Sequence, residues 1–140
     1  MVKYARRVSV FVLFDDDKKI LLQHRDKNMT CPNVWAFFGG GIEKDESPDQ
    51  AVVREAKEEL QIELHNPQFF KRYVHSTTRG LIEKFVFISP LQWSIKALRM
   101  QQQEGDDLGI FSSSVIHTLK LLPYDLEPIK DIFNHLQHKI

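Results

Sequence analysis

The stretch Gly40–Ile62, GGIEKDESPDQAVVREAKEELQI, decides how this chain is read. Ser47 is a helix N-cap residue, Pro48 suits the first helical position, and Gln50 completes a capping box with Ser47. The spacing therefore predicts a helix from Pro48 to about Leu60. At about 100° per residue, with Glu55 as zero, Glu59 falls near 40° and Glu58 near −60°. Val52, Ala56, Leu60 and Val53 span roughly 60° to 160° on the same wheel. The helix is thus expected to bury one side and to present a wall of carboxylates along the neighbouring edge, with the small Ala51 leaving room beside it.

Like charges one turn apart repel. Arg54 is placed to pair with Glu58 at i,i+4, and a divalent cation would neutralise the cluster more fully. Oxygen ligands in this number suit Mg²⁺ or Mn²⁺, not zinc. A solvated charged face and a cation site both remain open from the cluster alone. Gly39, Gly40 and Gly41 precede the helix by a short loop, and glycine lets backbone approach a metal or a phosphate closely. A tight turn after a strand is their plainer role.

Around this segment the chain alternates short apolar runs with turns. Val8–Phe14 reads as a largely buried strand, and the acidic Asp15, Asp16 and Asp17 as a solvated turn leading into Ile20, Leu21 and Leu22. Trp35–Phe38 is a further short apolar run. Phe69–His75 and Ile82–Ser89, divided by Arg79 and Gly80, suit an antiparallel pair. A polar stretch from Gln101 to Gly109 leads into a short helix near Ser114–Leu119. The last helix, from about Leu126 to Leu136, carries Leu126, Ile129, Ile132, Phe133 and Leu136 on one stripe. One domain over residues 1–140 is expected, an α/β sandwich around a central mixed sheet.

The bulk numbers exclude several classes. Nineteen basic side chains balance nineteen acidic ones, so binding to a nucleic-acid backbone is not expected. No apolar run approaches the roughly 20 residues of a membrane span. The single cysteine, Cys31, permits no internal disulfide and is read as an inert thiol beside Pro32. No small-residue cleavage site follows the Val8–Phe14 run, and the chain reads as cytoplasmic. The six histidines lack metal-binding spacing.

The segment resembles the Nudix box, Gly-x5-Glu-x7-Arg-Glu-U-x-Glu-Glu-x-Gly-U, where U is aliphatic. Gly40, Glu46, Arg54, Glu55, Glu58 and Glu59 match in register, with Ala56 and Ile62 at the U positions. Leu21, Leu22 and Arg25 resemble the strand end that precedes many such boxes, and Trp35 a tryptophan often found upstream. Glu104–Phe111, EGDDLGIF, resembles the segment that supplies a further acidic ligand in shorter, MutT-like members. Two positions depart from the pattern. Gln61 stands where the last box glycine is usual, and Phe38 where a proline precedes the glycine pair.

The resemblance implies an α/β/α sandwich and a Mg²⁺- or Mn²⁺-dependent hydrolase that cuts a phosphoanhydride in a nucleoside diphosphate derivative. Glu58 and Glu59 are then metal ligands, and Glu55 is a ligand or the base. The Gly39 carbonyl is a backbone ligand, and Glu104 an extra ligand or the general base. Arg54 orients the glutamates, while Gly40 and Glu46 support the site without touching the ion. Asp106 and Asp107 are candidates for a base or a ribose contact, and equally a polar loop. Phe37, Tyr73 and Trp93 are candidates to stack on a base, and Arg25 and Arg79 to meet phosphates.

For substrate, the stretch Thr77–Gly80 lacks the proline of ADP-ribose hydrolases and the tyrosine of dinucleoside polyphosphate hydrolases. No second arginine of the coenzyme A type lies between Arg25 and the box. A nucleoside triphosphate giving monophosphate and pyrophosphate is the leading expectation. The alternative is a catalytically silent Nudix-fold nucleotide sensor. The aromatic strands could support a homodimer.

Overall fold

The computed structural model describes residues 2–138. Seven strands, three α-helices and two short 3₁₀ turns follow one another along it. They are β1 (Arg6–Phe14), β2 (Ile20–His24), β3 (Trp35–Ala36), β4 (Phe38–Gly41), α1 (Pro48–Leu60), β5 (Gln68–Thr77), β6 (Gly80–Pro90), α2 (Ile95–Gln101), β7 (Asp107–Phe111) and α3 (Leu126–Gln137), with the 3₁₀ turns Ile116–Thr118 and Pro123–Asp125 before α3.

The apolar run of β1 lies at the centre because both of its edges are paired. It runs parallel to β6 from Arg6↔Ile82 to Phe14↔Pro90, and antiparallel to β4 from Val8↔Gly41 to Phe11↔Phe38. At its far end Phe14 meets Ile20 of β2, closing the hairpin over the acidic turn. The sheet is therefore mixed, and β5 pairs antiparallel with β6 on its outer side. Side chains alternate across the two faces, as the pleat requires. Val8, Val10 and Val12 pack with Ile129, Ile132, Phe133 and Leu136 of α3. Phe11 and Leu13 point the other way, onto Val52, Ala56 and Leu60 of α1. Helices on both faces of a mixed sheet make the expected α/β sandwich. Among the described residues no helix is long and apolar enough to cross a membrane.

Local chemistry explains the start of α1. Ser47 Oγ accepts from Gln50 N–H and the Gln50 side chain accepts from Ser47 N–H, so the capping box forms in both directions. At the other end Gln61 adopts the left-handed conformation, φ 56° and ψ 36°, and its N–H donates to the Lys57 carbonyl. A residue with a Cβ is strained there by roughly 1 kcal/mol. Gln61→Gly is thus expected to stabilise the fold by about 1 kcal/mol, read as a rise of a few degrees in the thermal midpoint. A drop would show that the Gln61 side chain contributes more than the turn costs.

Several elements differ from the sequence expectation. Gly39, Gly40 and Gly41 lie inside strand β4, not in a turn after it, because β1 supplies an antiparallel partner for each of them. The Trp35–Phe38 run is split between β3, on β2, and β4, on β1. Phe38, at the family's proline position, pairs with Phe11, and the two rings stack with centroids 5.7 Å apart. The stretch Gln101–Gly109 runs into β7, held by β2 from Ile20↔Phe111 to His24↔Asp107. Helix α2 was not anticipated, and the helix read near Ser114–Leu119 shrinks to the turn Ile116–Thr118. Leu126 is exposed and leaves the α3 stripe.

Candidate active site

Helix α1 does not place its glutamates where the wheel suggested. Its buried residues are Ala51, Val52, Glu55, Ala56, Glu59 and Leu60, so Glu55 and Glu59 lie within the buried face itself. Val53, by contrast, is exposed. Glu55 is 8% and Glu59 2% exposed, whereas the Glu58 side chain is 56% exposed and turned to solvent.

Strand β4 makes room for these carboxylates with its three glycines, Gly39, Gly40 and Gly41. A Cβ on Gly40 would lie 2.5 Å from Glu55 Oε1 and 2.8 Å from Oε2, so the carboxylate occupies the space a side chain would take. Gly39 has φ +142°, and a Cβ there would meet the Ser9 carbonyl oxygen at 2.3 Å.

Arg54 ties the loop and helix together. Its Nε and Nη2 donate to the two carboxylate oxygens of Glu46 at 2.8 and 2.9 Å, and Nη2 also donates to the Gly41 carbonyl at 2.9 Å. Nη1 reaches Glu55 Oε1 and Glu58 Oε2, each at 3.1 Å. The guanidinium beside it, together with the Glu43 N–H, holds the Glu46 carboxyl down at about 2, below its ordinary 4.5. A folded-state value below the unfolded one means stability that is present above pH 4.5 and lost as pH falls toward 2. Glu46→Gln is accordingly expected to lower the unfolding free energy by about 1–2 kcal/mol at pH 7. In denaturant titrations the gap to wild type should close as pH approaches 2; a gap independent of pH would refute the assignment.

Glu104 approaches from the segment between α2 and β7. Gln103 N–H donates to the Glu59 carbonyl at 2.8 Å, and Gln102 Nε2 donates to the carbonyls of Glu104 and Asp107. Gly105, at φ +80°, sits tightly against the His24 carbonyl and the Gln23 side chain. These bonds bring the Glu104 carboxylate up to Glu59. Both Glu59 oxygens are buried without a hydrogen-bond partner. Burial first, then the charge and proximity of Glu104 and the charge of Glu55, push the Glu59 carboxyl up to about 10; the Gly39 amide is near enough to pull weakly the other way but does not meet hydrogen-bond geometry. Burial likewise raises Glu55, with Arg54 opposing.

Glu55, Glu59 and Glu104 thus gather about Gly39 and Gly40, while Glu58 is drawn outward by Arg54. Among the described residues no three Asp, Glu, His or Cys side chains are close enough to hold an ion as they stand. Two acidic candidates are paired with other side chains: Asp106 with His24 Nδ1 at 2.6 Å, and Asp107 with Arg99. Arg25 donates to the carbonyls of Thr30 and Cys31, and it lines the cavity beside the carboxylates. Tyr73 is core, its hydroxyl donating to Asp131, and Trp93 packs against the core cluster that includes Val52, Ala56 and Leu60. Arg79 sits in the β5–β6 turn.

Beside the carboxylates opens a cavity of about 320 Å³, lined by Gly39, Gly40 and Glu104 and, further on, by Phe37, His75, Lys84, Tyr124 and Asp125. Of the three aromatic candidates, only Phe37 lines it. Sequence reasoning missed the last four residues. The one signal was a charged pair, Glu83 and Lys84, inside the otherwise apolar β6 run. The exposed Cys31 also lines the cavity.

A two-faced sandwich with a carboxylate-bearing helix laid against a glycine strand is the architecture of one large class of proteins. The sequence profile of the NUDIX domain matches residues 3–124, and the chain belongs to that family. It is 40% identical over 124 residues to the uncharacterized Nudix hydrolase YvcI of Bacillus subtilis (strain 168), covering 87% of this chain and 75% of that one. It is 46% identical over 54 residues to a CTP pyrophosphohydrolase of Escherichia coli (strain K12), a match covering 39% of this chain and only 40% of that relative's length. The NUDIX domain of Shewanella oneidensis NrtR, solved with ADP ribose, superposes with a TM-score of 0.78 at 21% identity, over 96% of this chain and 90% of that one.

Proposed function

We infer that this chain is a divalent-metal-dependent hydrolase that opens a phosphoanhydride in a nucleoside triphosphate, releasing the monophosphate and pyrophosphate. The observation that carries this reading is Glu59, a buried carboxylate with two unpartnered oxygens facing a second carboxylate, Glu104. Buried like charges of this kind are costly unless a cation compensates them. An all-oxygen set suits Mg²⁺ or Mn²⁺. Glu55, Glu59 and Glu104 would hold it, with the Gly39 carbonyl and Glu58 completing the set. When bound, the cation supplies charge neutralisation to the phosphates and acidifies water.

The remaining work falls to the chain's own residues. Arg54 sets the directions of Glu55 and Glu58 and is itself held by Glu46. Gly40 leaves the space in which the Glu55 carboxylate lies. Whichever of Glu104, on the cavity wall, and Glu55 does not hold the ion would take the proton of the attacking water. The matched pyrophosphohydrolase relative supports a triphosphate as substrate. Gln61 and Phe38, the departures that suggest a silent sensor, are absorbed in the left-handed turn and the core, and neither removes a carboxylate.

The test is product analysis on the common nucleoside triphosphates, oxidised dGTP, ADP-ribose and a dinucleoside tetraphosphate, with Mg²⁺ or with chelator. Pyrophosphate and monophosphate formed only with Mg²⁺ is the expected result. Nucleotide bound but never cut would establish the sensor instead.

A further inference from the structure

The cavity continues well beyond the carboxylates. Its wall runs from the glycines of β4 over Val8 and Val10 of β1 to Lys84 of β6. Val8 pairs with Gly41 on one side and Lys84 on the other, so Lys84 lies two strand spacings from the glycine strand. That is about 9–10 Å, room for a sugar and a base beyond a phosphate held near Gly39.

Two buried charges close this end. Lys84 is 4% and Asp125 2% exposed. Lys84 Nζ donates to Asp125 Oδ1 and, at 3.3 Å, to the Tyr124 carbonyl; Asp125 Oδ2 accepts from the Phe37 N–H at 3.1 Å. An ammonium has three protons and each carboxylate oxygen two lone pairs. One charged donor and spare carboxylate capacity therefore remain beside the cavity. A buried ion pair is a poor stabiliser compared with apolar packing, so fold stability gives little reason for this one. Next to it the His75 and Tyr124 rings stack, 4.2 Å apart and inclined by 10°. Burial, and then the Lys84 charge, lower the pKa of His75 and favour the neutral ring. None of these four residues belongs to the carboxylate site.

We propose that Lys84 and Asp125 read the edge of the nucleobase and select bases carrying a carbonyl and an N–H donor on one edge, against adenine. The proposal rests on the nucleotide reading above. An ammonium donates only, and a carboxylate accepts only from N–H or O–H groups. Guanine, cytosine and uracil present a carbonyl oxygen and an N–H donor on one edge. Adenine has no carbonyl, so Lys84 would meet only a ring nitrogen. Adenine exchanges the carbonyl for that ring nitrogen and leaves neither group unpaired, so the discrimination expected is moderate, about ten-fold.

The experiment is an NMR titration of the protein with GMP, CMP and AMP, without metal, which detects weak binding and does not depend on hydrolysis. GMP and CMP are expected to bind about ten-fold more tightly than AMP, with the largest shifts at Lys84, Tyr124 and Asp125. In Lys84→Met/Asp125→Asn, which removes both charges and leaves an acceptor for the Phe37 N–H, the preference should fall to within about two-fold. AMP binding as tightly as GMP and CMP, shifts confined to other regions, no binding of any monophosphate, or a preference that survives in the folded double variant would each overturn the proposal. If the double variant does not fold, the wild-type comparison decides by itself. Base preference without hydrolysis of any triphosphate would sink the hydrolase reading and leave this one standing; hydrolysis without preference does the reverse.

Discussion

Glu59→Gln is expected to abolish turnover and, in the absence of metal, to make the protein more stable. These two effects run in opposite directions because they share one cause. The Glu59 carboxylate is buried, unpartnered and set against Glu104. Without a cation it burdens the fold, and a neutral amide that can donate to Glu104 relieves that burden by about 1–3 kcal/mol. On the proposed reading it is a ligand once the cation binds, and its loss should then cost about 10³-fold or more in kcat/KM. The pH dependence follows the same logic. The folded carboxyl lies near 10 against an ordinary 4.5, so the folded state holds this proton more tightly than the unfolded one. Its contribution is intact below pH 4.5 and declines as pH rises from there toward 10. Thermal melts in chelator at pH 5 and pH 8 should thus show wild type losing more stability than Glu59→Gln. Equal losses, or a variant less stable than wild type in chelator, would contradict the assignment.

The second large effect separates two adjacent glycines. At Gly40 the three atoms nearest the added methyl all belong to the end of the Glu55 side chain. Gly40→Ala should fold with a stability change within about 1 kcal/mol yet lose about 10²-fold in kcat/KM, because a displacement near 1 Å in a reacting group costs that much. At Gly39 the methyl meets the Ser9 carbonyl and the Val10 backbone, and φ is +142°. Gly39→Ala should therefore cost about 3 kcal/mol or more in stability. Denaturant unfolding beside steady-state kinetics separates the two. If Gly40→Ala kept full activity, the packing of Glu55 against β4 would have no part in the chemistry.

How much of this was legible depended on how local each feature is. The start of α1 was readable in full because Ser47, Pro48 and Gln50 act within one turn. The box register was equally plain, but the placement of its carboxylates was not. Glu55 and Glu59 looked like an edge because the wheel centred the buried arc on Val52, Val53, Ala56 and Leu60; the three glycines of β4 let the two carboxylates lie on the buried arc, and Val53 is exposed instead. Strand β7 went unseen because DLGIF is extended only through its pairing with β2, more than eighty residues away. Helix α2 is seven residues long, and its one clear signal, the Ser94 cap, was passed over. Lys84 and Asp125 were out of reach for another reason. Forty-one residues separate them, and only the docking of the Pro123–Asp125 turn against β6 turns two unremarkable charges into a buried pair.

The central claim is that Glu59 and its neighbours hold a divalent cation. Mn²⁺ binding, followed by electron paramagnetic resonance in wild type and in Glu59→Gln, addresses it most directly. Wild-type protein should bind Mn²⁺ saturably, and the variant at least about ten-fold more weakly. Identical Mn²⁺ titrations for the two proteins would contradict it.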